Sequence, residues 1–172
     1  RSQTKERLKR SNASIHSLLN LWRYCEIYGL IRHLIVCTKW CGAGNIAGGY
    51  DDLGEDAESD ACCREHDYCP DIIPGRQTKY NLTNRAFYTR LNCECDEKFR
   101  QCLRSAEINE QTARYIGIIY FNALGTQCFR EDYPVVRCLR RGGYERFKTK
   151  CAEYEYDTDA AKVYQWFDVP DF

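Results

Sequence analysis

Apolar and polar residues follow a helix-compatible pattern in four stretches of this chain and a strand-like one near its end. Over residues 15–36, Ile15, Leu18, Leu19 and Trp22 recur at three- and four-residue spacing and predict an amphipathic helix ending near Gly29. Arg23, Glu26, Arg32 and His33 interrupt the run, so it is not a membrane span. Residues 62–69, CCREHDYC, contain no Gly, Pro or β-branched residue and read as a second helix. Cys62, Cys63 and Cys69 then share a stripe with His66. After a turn region with Pro70, Pro74 and Gly75, a third helical pattern runs from about Asn84 to Ala106, with Asn92, Asp96, Phe99 and Leu103 on one face. A fourth runs from about Asn109 to Leu124 and stops at Gly125. Beyond Cys128, Val135 to Leu139, a turn at Arg140 to Gly143, and Tyr144 to Tyr156 predict a small β-ribbon. The fold class expected is mainly α with that ribbon.

Composition changes the picture through its cysteines. The chain has 172 residues, which suits one domain with an appendage, and 12 cysteines. That even number, without the C-x-x-C pairs of structural zinc sites, predicts a secreted, extracellular protein with up to six disulfides. Sequons at Asn12 and Asn81 agree with secretion, and a leader segment is expected to have been removed before Arg1. Net charge is zero but uneven, with five basic residues and one acid in residues 1–10. The body is therefore no basic nucleic-acid binder. Arg7-Leu8-Lys9-Arg10 resembles a proprotein-convertase site with cleavage after Arg10; a solvated basic tail is the alternative.

Three features point to chemistry. Trp40-Cys41-Gly42-Ala43-Gly44-Asn45 places alternate glycines where a backbone can turn sharply and aim carbonyls into one concavity. Hard cations such as calcium take such oxygens, so the carbonyls of Trp40, Gly42 and Gly44, with the carboxylate of Asp67, form a candidate cage. A nucleotide loop is the rival, but a preceding strand, a third spaced glycine and a P-loop lysine are missing. Asp96 lies on an apolar stripe, and a buried carboxylate needs a partner, which His66 would supply if disulfides held the two helices side by side. The alternatives are a structural histidine on a stapled helix and one more surface acid beside Glu94 and Glu97. Tyr120 reads as a core residue or a hydrogen-bonding strut. Residues 51–60 hold six acids and read as a solvated loop whose last acids stand favourably at a helix N-terminus, with Ser59 as N-cap candidate; a second cation site is the alternative. His16 and His33 read as ordinary packing or surface residues.

The stretches WCGAGN, DACCREHDYCPD, LTNRAFYTRLNCECDEKFRQCL, IGIIYFN and KVYQWFD together resemble the secreted phospholipase A2 enzymes of group III, the bee-venom type. The resemblance covers roughly residues 35–172, a catalytic domain, and leaves residues 1–34 as an N-terminal extension. It implies a disulfide-rich secreted phospholipase A2-like fold with two antiparallel disulfide-linked helices and a calcium loop. It further implies calcium-dependent hydrolysis of the sn-2 ester of glycerophospholipids at a membrane, micelle or vesicle surface. His66 would be general base, Asp96 would orient it and Tyr120 would support Asp96. Trp40, Gly42, Gly44 and Asp67 would bind Ca2+. The implied disulfides are Cys41–Cys63, Cys62–Cys102, Cys69–Cys95, Cys93–Cys128 and Cys138–Cys151, leaving Cys25 with Cys37. An apolar rim is expected from Ile31, Leu34, Ile35, Ile72 and Ile73. A secreted non-catalytic receptor ligand on the same scaffold is the alternative from another class.

Overall fold

The computed structural model describes residues 37–42, 44–142 and 150–172. The expectations for the basic arm, the helix of residues 15–29, Asn12, His16, Cys25, Ile31, His33, Leu34 and Ile35 therefore lie outside the described residues.

The first full helix among the described residues, α1, runs Ala57–Asp67 and ends one residue after His66. Its start differs from the sequence reading. Ser59 is not the cap but lies inside the first turn, fully buried, and the free N–H groups of that turn bond to a carboxylate from a distant segment. Glu110 accepts from Glu58 N at 3.0 Å and Ser59 N at 2.7 Å, and from the Ser59 hydroxyl at 2.6 Å. A negative charge at a helix N-terminus is favourable in any case, so a carboxylate from elsewhere in the chain serves as the cap.

The connection after α1 carries four short strands, β1 (Ile72–Ile73), β2 (Thr78–Lys79), β3 (Leu82–Thr83) and β4 (Arg90–Leu91). β1 pairs antiparallel with β4, and β2 with β3. β4 and the turn that precedes it take the place of the first part of the helix predicted from Asn84. Asn84 is fully buried, and its side chain bonds to the Ile73 and Tyr88 carbonyls and to Ala86 N, which ties the backbone into a turn instead of a helix. Ile73 is fully buried and so is no rim residue; Ile72 is half-buried.

The helix that does form, α2, runs Cys93–Ala106, and the Asn92 side chain caps it by accepting from Glu94 N at 3.0 Å. Its buried residues, Asp96, Phe99, Leu103 and Ala106, recur every three or four positions and make one inward stripe. Then α3 runs Gln111–Gly117 and continues as a π-helix, Ile118–Ala123, ending before Gly125 at φ +56°. The helix begins at Gln111, two residues beyond the expected Asn109, because Glu110 is extended.

Four strands complete the fold: β5 (Gln127–Asp132), β6 (Val135–Gly142), β7 (Lys150–Tyr156) and β8 (Val163–Asp168). β6 pairs antiparallel with β7, giving the expected ribbon. β5 pairs antiparallel with β8, a ladder absent from the sequence reading, and it buries Phe129 and Phe167. Phe99, Leu103, Ile116, Phe121, Phe167 and Val169 share one core between α2, α3 and this ladder.

Five disulfides join the described residues: Cys41–Cys63, Cys62–Cys102, Cys69–Cys95, Cys93–Cys128 and Cys138–Cys151. All five match the pairings implied by the resemblance. Each closes a loop of the unfolded chain and typically contributes 2–4 kcal/mol, which compensates for helices too short to be stable alone.

Candidate active site

Two disulfides fix where His66 can stand. Cys62 on α1 and Cys69 two residues past its end bracket it, and their bonds to Cys102 and Cys95 hold α1 against α2. His66 Nε2 lies 2.9 Å from Asp96 Oδ1. Its ring stacks on Phe99, with centroids 4.2 Å apart and planes 23° apart, and meets the Tyr120 ring edge-on at 5.1 Å. An ionised carboxylate only accepts hydrogen bonds, so Nε2 carries the proton and Nδ1 is the basic nitrogen. Nδ1 has no hydrogen-bond partner among the described residues.

Asp96 is 1% exposed. The Tyr120 hydroxyl donates to the same Oδ1 at 2.9 Å, while Oδ2 is buried with no partner among the described residues. The carboxylate is therefore under-solvated, and the positive charge His66 acquires on protonation would answer it. Burial, then the charge of Asp96 and the hydrogen bond to it, push the Tyr120 phenol far above its ordinary value. Tyr120 is thus a permanent donor. The π-helical turn around Tyr120 and Phe121 directs one side chain to Asp96 and packs the other, fully buried, in the core. Tyr120→Phe keeps the ring packing and removes one donor to a charged acceptor, a loss of about 1.5–3 kcal/mol. Turnover is expected to fall about tenfold, read as kcat with KM little changed.

The loop before α1 is held by one residue that the sequence reading left in solvent. Asp60 is fully buried and accepts from Lys39 N at 2.9 Å, Trp40 N at 2.7 Å and Gly54 N at 2.7 Å. Its position three residues before Cys63 on the same helical face was the available signal. Gly54 has to be glycine, since a Cβ there would lie 2.3 Å from the Cys37 carbonyl oxygen. Cys41–Cys63 bonds the loop to α1 a second time. Gly44 has φ +94°, the left-handed conformation that favours glycine.

The residues expected to hold calcium have the donor chemistry for it. Among the described residues, the carbonyls of Trp40, Gly42 and Gly44 accept no hydrogen bond, and the Asp67 carboxylate has no hydrogen bond or ion pair. Asp67 stands at the exposed end of α1, yet loss of solvent contact raises its carboxyl above the ordinary range. Asp60 adds to that shift and His66 opposes it. Free carbonyls and an unanswered carboxylate match the oxygen ligands that calcium takes. A carboxyl raised on folding costs stability progressively as pH rises from its unfolded to its folded value, and in full above the folded value, because the folded state then carries a charge it disfavours. Asp67→Asn is therefore expected to abolish calcium binding while leaving the calcium-free melting temperature unchanged or higher, in titration calorimetry and thermal melts.

Residues 34–132 match the family described as phospholipase A2. The chain is 55% identical over 132 residues to a phospholipase A2 of Bombus pensylvanicus, covering 77% of this chain and 94% of that protein. It is 49% identical over 138 residues to one of Xylocopa appendiculata circumvolans, covering 80% and 73%, and 42% identical over 132 residues to one of Apis mellifera, covering 77% and 75%. The chain belongs to the phospholipase A2 family. It is an enzyme of that type. The segment that matches the family, residues 34–132, contains Trp40, Gly42, Gly44, His66, Asp67, Asp96 and Tyr120, whereas β6, β7 and β8 lie beyond it.

Proposed function

We propose that the chain is a secreted, calcium-dependent phospholipase A2 that hydrolyses the sn-2 ester of glycerophospholipids, releasing a fatty acid and a lysophospholipid. The observation that carries the proposal is the His66 imidazole, bonded through Nε2 to buried Asp96 with Nδ1 left without a partner.

In the proposed reaction Nδ1 of His66 takes a proton from a water molecule as its oxygen attacks the ester carbonyl carbon. Asp96 holds the Nε2 proton and stabilises the imidazolium. Tyr120 holds Asp96. As the tetrahedral species collapses, the ester C–O bond breaks and His66 returns the proton to the leaving alkoxide. No side-chain nucleophile takes part, so no acyl-enzyme forms. The carbonyls of Trp40, Gly42 and Gly44 and the Asp67 carboxylate would hold calcium, which supplies positive charge for the substrate phosphate and the developing oxyanion.

The crossed order of Cys62–Cys102 and Cys69–Cys95 sets α1 and α2 antiparallel, and this pairing keeps the base and its carboxylate in register. Residues 35–172 form the catalytic domain, and cleavage after Arg10 would trim the extension. Five disulfides support secretion.

The test is fatty-acid release from vesicles whose phospholipids carry distinct sn-1 and sn-2 chains, with calcium and with chelator. Release of the sn-2 chain only, and only with calcium, is expected. Equal release of both chains, or release in chelator, would overturn the proposal.

A further inference from the structure

A pocket of about 550 Å³ lies between the β2–β3 hairpin and the β5–β8 ladder, and none of the residues assigned above lines it. Its walls include Asn81, Thr83, Arg85, Arg90, Gln127 and Trp166. The size is that of a small-molecule site.

The two arginines make its chemistry. The Arg90 guanidinium carbon sits 4.8 Å from the centroid of the Trp166 ring, which restrains the planar group, and Arg90 Nε is buried with no partner among the described residues. A guanidinium donor withdrawn from water without an acceptor is costly. Arg85 is exposed, and neither arginine has an acidic partner among the described residues, whereas Arg64, Arg100, Arg130, Arg137 and Arg140 each have one. The carboxylate bonded to the pocket wall is already engaged: Asp168 accepts from Gln127 Nε2 at 3.0 Å and from Cys151 N at 2.8 Å. The hairpin wall is firmly placed, because the Tyr80 ring stacks on Tyr164 of β8 at 3.9 Å and Lys79 pairs with Asp71 at 2.7 Å.

Two guanidiniums in one pocket carry a charge near +2 in forks that match tetrahedral oxyanions. A phosphate monoester carries about −1.5 to −2 near neutral pH and three acceptor oxygens. We infer that this pocket binds a phosphate monoester group, at a site separate from the one that holds the substrate ester. The group can come from a soluble phosphate or from the headgroup of phosphatidic acid in a membrane.

The test titrates glycan-free protein with glycerol 3-phosphate by calorimetry in chelator, which removes calcium from the other site. Glycan-free protein is needed because Asn81, at the rim, lies in a sequon. One saturable site is expected, weakened about tenfold or more in Arg90→Gln and in the exposed variant Arg85→Gln. Hydrolysis of phosphatidylcholine with calcium should be unchanged in both variants, which reports that they fold. Flotation with phosphatidylcholine vesicles, with and without phosphatidic acid, separates the sources. Arginine-dependent gain on phosphatidic acid assigns the headgroup, and binding of glycerol 3-phosphate alone assigns a soluble ligand. Binding of neither, or binding that both substitutions leave unchanged, overturns the inference.

Discussion

His66→Gln is expected to lower turnover about 10²–10⁴-fold, the range that positioned general bases contribute. Glutamine can fill much of the space on Phe99 and accept or donate a hydrogen bond, but it cannot take up a proton from water. Asp96→Asn is expected to be comparably damaging for a different reason. A neutral amide can donate to Nε2 as well as accept from it, so the basic nitrogen is no longer fixed as Nδ1, and the imidazolium loses its counter-charge. The two groups act as a unit. His66→Gln/Asp96→Asn should therefore be little worse than the more damaging single variant, whereas independent contributions would multiply. Thermal melts separate catalysis from folding. Asp96 is buried with Oδ2 unpartnered, so neutralising it removes a desolvated charge, and Asp96→Asn should melt no earlier than the native protein. A large drop in melting temperature in step with activity would make Asp96 a structural residue instead.

The second large effect is expected at Asp60→Ala. Three backbone N–H groups, from Lys39, Trp40 and Gly54, converge on this buried carboxylate. Hydrogen bonds to a charged group are worth about 1.5–3 kcal/mol each, and orphaned donors add a penalty of their own, so a loss of about 3 kcal/mol or more in stability follows. Trp40 is one of those donors and also a proposed calcium ligand through its carbonyl, so calcium affinity should fall alongside stability, although Asp60 itself is not among the proposed ligands. Asp60→Asn, which keeps the shape but not the acceptor capacity, should lie between the two. Urea melts and calcium titration check both effects. Unchanged calcium affinity in a folded Asp60→Ala protein would show that the loop is held by Cys41–Cys63 alone.

The stripe Asp96, Phe99, Leu103 was legible because helical period and burial coincide in α2. The spacing of cysteines around His66 marked α1, and the resemblance supplied the pairings that spacing leaves open. Asn84 misled, since a polar residue opening a helical pattern reads as solvent-exposed, while here its amide is buried and bonds three backbone groups across a turn. Asp60 misled, and Glu110 went unread, for a related reason. Both look like surface acids, but each satisfies backbone N–H groups brought near only by the fold, over a sequence separation of about 20 and 50 residues respectively. Pairing between β5 and β8 is likewise non-local, with the partner strands some 30 to 40 residues apart, and no turn chemistry announces it. Local period reveals what a residue packs toward; it does not reveal which distant backbone a carboxylate will meet.

The π-helical turn, Ile118–Ala123, bears on which length changes this chain can tolerate. A π-turn is an α-helix with one extra residue accommodated. Deleting a single residue from it would let the helix revert to α-helical winding, and each residue of winding turns a side chain by about 100°. Tyr120 and Phe121 could then no longer keep both of their present directions. Surface loops such as the Tyr80–Asn81 turn can lengthen or shorten with little effect on the hydroxyl that reaches Asp96. The segment Ile118–Ala123 cannot, so its length constrains the protein as strictly as the identity of any side chain it carries.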